Sequence, residues 1–327
     1  MAGWFASPDP QVRAWHLSGP AQGSTYHITY YAADSAVTTR NIDSLLNMID
    51  NSLSLYRDSS LISRFNRSQK GIVPDRHLFL VVKKALEIAR ETDGTFDPTI
   101  FPLVQLWGFG PAKTQDLPSD QSVQQARKNV GWNKLRLQKN FLAKTAPGVC
   151  LDLNGIAQGY TVDVLADYFH SISVQDFVVE VGGELRVSGK KRPAGEPFRV
   201  GIEAPDEDPF SPTVLQKIIY PGNGAVTTSG NYRKFRQSGS RKVSHLIDAR
   251  TGYPVDNELL SVTVWAPDAI TADGYDNTLM GMGLKKALNF CERKQHLEAF
   301  FIYKNADGSV ADTATRGFYA MIRNTQP

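Results

Sequence analysis

Only two cysteines, Cys150 and Cys291, occur in 327 residues, and they sit far apart. Neither CxxC nor metal-finger spacing is present, so a disulfide scaffold and a zinc ribbon are excluded, while one disulfide between them stays open. No run of about 18 apolar residues exists, which excludes a membrane-spanning helix. Charge of neither sign dominates: 36 Lys and Arg stand against 33 Asp and Glu, a formal net charge of +3. That balance argues for no nucleic-acid partner, yet it would not repel a phosphate-bearing ligand. GxGxxG after a strand, GxxxxGK[ST] and GxSxG are all missing, which removes the usual dinucleotide, P-loop and hydrolase-elbow signatures. The start, MAGWFASPDPQ, has no basic segment followed by an apolar one. It reads as what is left after a leader is trimmed, with a native Met1 as the alternative. Residues 1–22 are accordingly expected to be a tail and residues 23–327 one domain.

What is present is an ordinary globular composition, 41% hydrophobic and 21% charged. Gly23–Ala32, Asp176–Gly189, Phe198–Pro205 and Lys217–Gly230 read as strands, and Thr38–Tyr56 and His77–Gly94 as helices. Hairpin-spaced strands among long helices predict an α+β fold with mixed or antiparallel sheets and peripheral helices, not a regular βαβ series.

The stretch SVTVWAPDAITADGYDNTLMGMG runs from a β-branched strand into a helix. Helical spacing puts Asp273, Asp276 and Asn277 on one face. One reading is a first turn whose acids complement the helix dipole. The other is a hard cation, Mg²⁺ or Ca²⁺, holding together carboxylates that would otherwise repel.

Glycines recur beside polar residues, at Gly23, Gly155/Gly159, Gly182/Gly183, Gly230 and Gly252, where backbone N–H groups can approach a ligand. TTSGNYRKF, with Ser229 and Gly230 before Arg233 and Lys234, reads as a phosphate cradle or a solvated basic strand. His245 in SHLIDARTGYP is a general-base candidate, because an imidazole titrates near working pH. GTFDPT reads as the wall of a flat-ring pocket, or as a buried turn in which Asp97 caps Thr99.

In chain order, GST-Tyr26, SLYRDSSLISRFN, GTFDPT…PLVQLWGFG, LDLNGIAQGYTVD, VEVGGELRVSG, VTTSGNYRKF, HLIDARTG and ADGYDNTLMGMG resemble the successive motifs of the ApbE family. The resemblance runs from about Gly23 to Gly283. It implies an ApbE-like fold and a Mg²⁺-dependent FAD:protein FMN transferase, cleaving FAD to AMP and attaching FMN by phosphoester to a Thr or Ser of an acceptor protein. It implies that Gly23, Tyr56, Thr95, Phe96, Asp97, Asp152, Gln158, Ser229, Gly230 and His245 contact FAD. The metal would be held by the Gly155 carbonyl, Asp273, Asp276 and Asn277, and His245 would activate the acceptor hydroxyl. The sequence departs from the family at Gln22 (usually Met), Gln158 (Lys), Ala249 (Pro) and Asn277 (Thr). The alternatives are an FAD pyrophosphatase releasing FMN and AMP, and a flavin-binding protein without turnover. The resemblance also implies a periplasmic, lipid-anchored protein acting on an Rnf- or Nqr-type redox subunit; a native Met1 would imply a cytoplasmic protein acting on a soluble reductase.

Overall fold

The computed structural model describes residues 12–35, 37–112, 116–205, 214–231, 235–238 and 241–322. Its frame is one eight-stranded antiparallel sheet whose strands lie side by side in chain order. They are β1 (Arg13–Ala21), β2 (Ser24–Ala32), β3 (Phe177–Val181), β4 (Glu184–Ser188), β5 (Gly224–Gly230), β6 (Leu259–Ala266), β7 (Glu298–Lys304) and β8 (Val310–Ala314). The helices enter as insertions between neighbouring strands. Between β2 and β3 lie α1 (Thr39–Leu53), α2 (Leu61–Arg67), α3 (Arg76–Glu91), α4 (Phe101–Leu106), α5 (Asp120–Arg127) and α6 (Ala157–Ser171). Between β6 and β7 lie α7 (Ala269–Met282) and α8 (Leu284–Glu292), and α9 (Arg316–Met321) follows β8.

Period-two alternation gives the sheet two covered faces. Ala225 and Val262 face a large core shared with Ile49, Val81, Leu165 and Leu279 from the helices. Val187, Val226, Phe300 and Ile302 face a smaller core closed by Phe198, Ile202, Ile219 and Phe318. A third cluster, Leu103, Trp107, Val123, Ile247 and Ala249, packs α4 and α5 against the HLIDARTG loop. The Trp107 indole N–H donates to the Gly252 carbonyl at 2.8 Å, which fixes that loop on the aromatic segment.

The α+β expectation holds, with one correction. Residues 13–21 are not a tail: β1 pairs with β2 from Arg13↔Ala32 to Ala21↔Ser24. As an edge strand, β1 is largely exposed and carries Gly19 and Pro20, so its apolar alternation is thin in sequence. Cys150 and Cys291 are both free thiols.

Candidate functional site

Two turns and two helices meet at one end of the sheet. The β1–β2 turn, Gln22-Gly23, has positive φ at both residues, as a two-residue hairpin turn requires. The β3–β4 turn, Gly182-Gly183, does too. The Gly182 N–H donates to the Thr25 carbonyl at 3.0 Å, joining the two turns. The Gln22 amide donates to Thr161 Oγ1 on α6 at 2.9 Å. Gln158, at the start of α6, lies against the Gly182 turn so closely that a Cβ there would be 2.4 Å from its amide nitrogen.

α7 crosses behind this end and is buried along most of its length. Its start is capped by acids other than those singled out from sequence. Asp268 accepts from the Thr271 N–H at 2.9 Å. Asp163 of α6 accepts from Ala269 N–H at 2.9 Å and Ile270 N–H at 2.8 Å. Asp273 and Asp276 are therefore not first-turn dipole partners, and the capping reading fails for them. Instead they point with Glu184, the first residue of β4, to a common place. One carboxylate oxygen from each lies within 4.8 Å of the others, and all three residues are buried.

Burial pushes Asp273 up to about 7, with Asp163 adding repulsion against a hydrogen bond from Gly159 that opposes it. Burial, then repulsion from Asp273, drives Asp276 well above the usual carboxylate range. Asp273 Oδ2 accepts from the Gly159 N–H at 2.8 Å. Asp276 Oδ1 accepts from the Asn277 amide at 2.8 Å, while Asp276 Oδ2 is buried with no hydrogen-bond partner. Asn277 Oδ1 accepts from Ser229 Oγ at 3.0 Å. A Cβ on Gly155 would lie 3.4 Å from the Asn277 amide nitrogen and 3.7 Å from the Phe96 ring. Gly155, Phe96, Ser229, Asp273, Asp276 and Asn277 are thus brought together. A buried cluster of carboxylates and an orphaned oxygen is a donor set that a hard divalent cation satisfies.

Glu184 was missed by sequence reasoning. On β4 it alternates with Leu185 and Val187, so it reads as the solvent side of a half-buried strand. That side is in fact covered by α6 and α7, and at this end the covered face is polar. Arg186, two residues on, also faces the helices and pairs with Asp163 at 2.7 Å.

The other residues of the predicted site are held by contacts of their own. Tyr56 is 69% exposed. Its turn is held because Arg57 donates to Asn47, Asp50 and Asn51 of α1. Thr95 lies over Gly281 of α7. Asp97 is a turn residue: Oδ1 accepts from the Thr99 N–H and hydroxyl at 2.8 and 2.6 Å, and Oδ2 from the Trp132 N–H at 2.9 Å. Asp152 is buried and pushed up to about 6 by that burial; its N–H donates to the Pro98 carbonyl at 2.9 Å, tying the two motifs together. His245 is half-buried and packs edge-on against Phe109, ring centroids 6.4 Å apart. It is not one of the three clustered metal-ligand candidates. Arg233 and Lys234 lie outside the described residues. An open cavity of about 550 Å³ runs beside the GTFDPT turn, lined by Gly94, Asp97, Arg127, Trp132 and Arg250 among others, and none of the three carboxylates reaches it.

A model of the ApbE family matches residues 22–301. Over 300 residues the chain is 39% identical to the FAD:protein FMN transferase of Vibrio cholerae, covering 90% of this chain and 88% of the relative. The FAD:protein FMN transferase of Haemophilus influenzae is 32% identical, with 96% and 94% covered. Among solved structures, the flavin transferase ApbE from Vibrio cholerae superposes with a TM-score of 0.85 at 37% identity, covering 95% of this chain and 99% of that one. The apo flavinyl transferase ApbE of Pseudomonas stutzeri also gives 0.85, at 33% identity, with 95% and 97% covered.

Proposed function

The chain belongs to the ApbE family, and on that footing we propose its reaction: it is an FAD:protein FMN transferase that depends on Mg²⁺ and links FMN by a phosphoester to a Thr or Ser of its acceptor. The observation that carries the metal part is the convergence of Glu184, Asp273 and Asp276 within 4.8 Å in a buried place. These three would hold Mg²⁺, with Asn277 and the Gly155 carbonyl beside them. Bound there, Mg²⁺ supplies positive charge to the pyrophosphate oxygens of FAD.

The chain's own groups do the rest. The polar turns at Gly23, Gly182 and Gly155 let backbone approach the substrate, and Tyr56 offers an aromatic face at the rim. His245 takes the proton of the acceptor hydroxyl, which is too weak a nucleophile without a base. The acceptor oxygen then bonds to the FMN-side phosphorus, the P–O bond to the bridging oxygen breaks, and AMP leaves with that oxygen. Phe109 packs edge-on against the imidazole.

We further propose an Rnf- or Nqr-type redox subunit as acceptor and the periplasm as the place of action. The family resemblance supports both, and cell fractionation with an antibody to the chain tests the second. The reaction is tested by incubating the protein with FAD, Mg²⁺ and such a subunit. An acceptor mass gain of FMN less water, with AMP released and both abolished by EDTA, is expected. AMP and free FMN with no mass gain on any acceptor would replace the transferase by a hydrolase, and neither product would leave a flavin binder.

A further inference from the structure

Asp163 lies outside the carboxylate cluster, yet it grips the helix that carries two of its members. On α6, Gly159 and Asp163 stand one turn apart; on α7, Ala269–Ile270 and Asp273 do as well. The two helices meet twice at that spacing. The Asp163 carboxylate accepts from the Ala269 and Ile270 N–H groups at 2.9 and 2.8 Å, and the Gly159 N–H donates to Asp273 Oδ2 at 2.8 Å. Asp163 is buried and its carboxylate is itself fixed by Arg186 of β4 at 2.7 Å. A helix start can be capped by its own residues, and Asp268 already does so here. A second carboxylate from a neighbouring helix adds something a local cap does not, since it sets where α7 sits along α6.

We infer that Asp163 is a positioning residue for the metal centre, clamping the start of α7 to α6 so that Asp273 meets the Gly159 N–H with one oxygen and leaves the other to the cluster. The inference rests on the reading of Glu184, Asp273 and Asp276 as metal ligands. Groups that orient metal ligands without touching the metal commonly change affinity by about 10–100-fold when removed.

The test uses the full chain and Mn²⁺ alone as the probe, with free Mn²⁺ followed by electron paramagnetic resonance and backbone amide exchange read at Ala269 and Ile270. Asp163→Asn keeps the shape and one acceptor oxygen; Asp163→Glu keeps the charge but displaces both oxygens; Arg186→Gln removes the ion pair and leaves both N–H bonds. Both Asp163 variants are expected to weaken Mn²⁺ binding by about 10-fold and to speed exchange at the two amides, with a smaller effect in the same direction from Arg186→Gln. Unchanged Mn²⁺ affinity in folded Asp163→Asn would overturn the clamp. So would weakened binding in Asp163→Asn that Asp163→Glu restores, which would make the effect one of charge. If the wild-type protein shows no Mn²⁺ site sensitive to Asp273→Asn, the metal reading itself falls, and the clamp with it.

Discussion

Gly159 and Asp273 touch where α6 and α7 cross. The Gly159 N–H holds Asp273 Oδ2 at 2.8 Å, and a methyl group on Gly159 would stand 2.2 Å from the Ala269 carbonyl and 2.6 Å from Asp273 Cβ. No side chain fits at that crossing. The glycine is required for space, since its φ is not in the left-handed region.

Gly159→Ala is therefore expected to push the helices apart. Overpacking of this kind costs about 1–3 kcal/mol, read as a lowered melting temperature. Mg²⁺-stimulated AMP release should fall with it, because Asp273 moves. A variant that melts and turns over like wild type would show the crossing to be yielding.

Removing a charge from the cluster should separate stability from activity. In the metal-free protein, Asp276→Asn removes the burial cost and the repulsion with Asp273 that appear as the pair ionises. Its melting temperature is therefore expected to rise at about pH 8 and to change little at about pH 5.5. The same variant should lose Mg²⁺-dependent FAD cleavage and the upward shift in melting expected of the wild type with Mg²⁺. Glu184→Gln should act in the same two directions. Retained Mg²⁺-dependent cleavage in Glu184→Gln would remove Glu184 from the ligand set.

The pH dependence has a definite sign. Asp273 is pushed up to about 7 in the folded chain, well above the ordinary carboxylate range, because burial opposes its charge. The folded state thus holds more protons than the unfolded one across that window, and these groups lower stability as pH rises through it. Metal-free protein is expected to melt higher at about pH 5.5 than at about pH 8, and Mg²⁺ to raise the melting temperature more at the higher pH, where it need not displace protons. A thermal melt with and without Mg²⁺ at both pH values decides it.

His245→Ala should leave FAD binding near wild type and abolish transfer to the acceptor. FAD titration by fluorescence and intact mass of the acceptor read the two separately. Transfer at the wild-type rate would leave His245 with no part in catalysis.

Much of this was legible in residue order. The period of Ser261–Trp265 and the oxygen-bearing face at Asp273, Asp276 and Asn277 both stand in the structure, as strand β6 and buried helix α7. Local signals were strong there because each element carries its own pattern. Glu184 and Asp163 were illegible for the opposite reason. Each is a polar residue whose meaning comes from an element distant in sequence, and a strand Glu or a helical Asp ordinarily marks a solvated face. Asp97 shows another side: the buried-turn reading of its motif stands, with its oxygens accepting from Thr99 and Trp132. The edge strand β1 escaped notice because half-exposed strands carry little apolar contrast.

The chain-order sheet has a kinetic consequence. Every strand pair but one joins segments close in sequence or separated by modest insertions. The exception is β2 with β3, where residues 33–176, the whole of α1 to α6, intervene. Closing so long a loop is entropically the most demanding step of the assembly, so the β1–β2 hairpin should be the last part of the sheet to dock. That hairpin brings Gln22 and Gly23 to Thr161 and Gly182. A chain still emerging from the ribosome would then have this end of the sheet unfinished until β3 is made, and the β1–β2 hairpin, made before β3, would wait longest for its place.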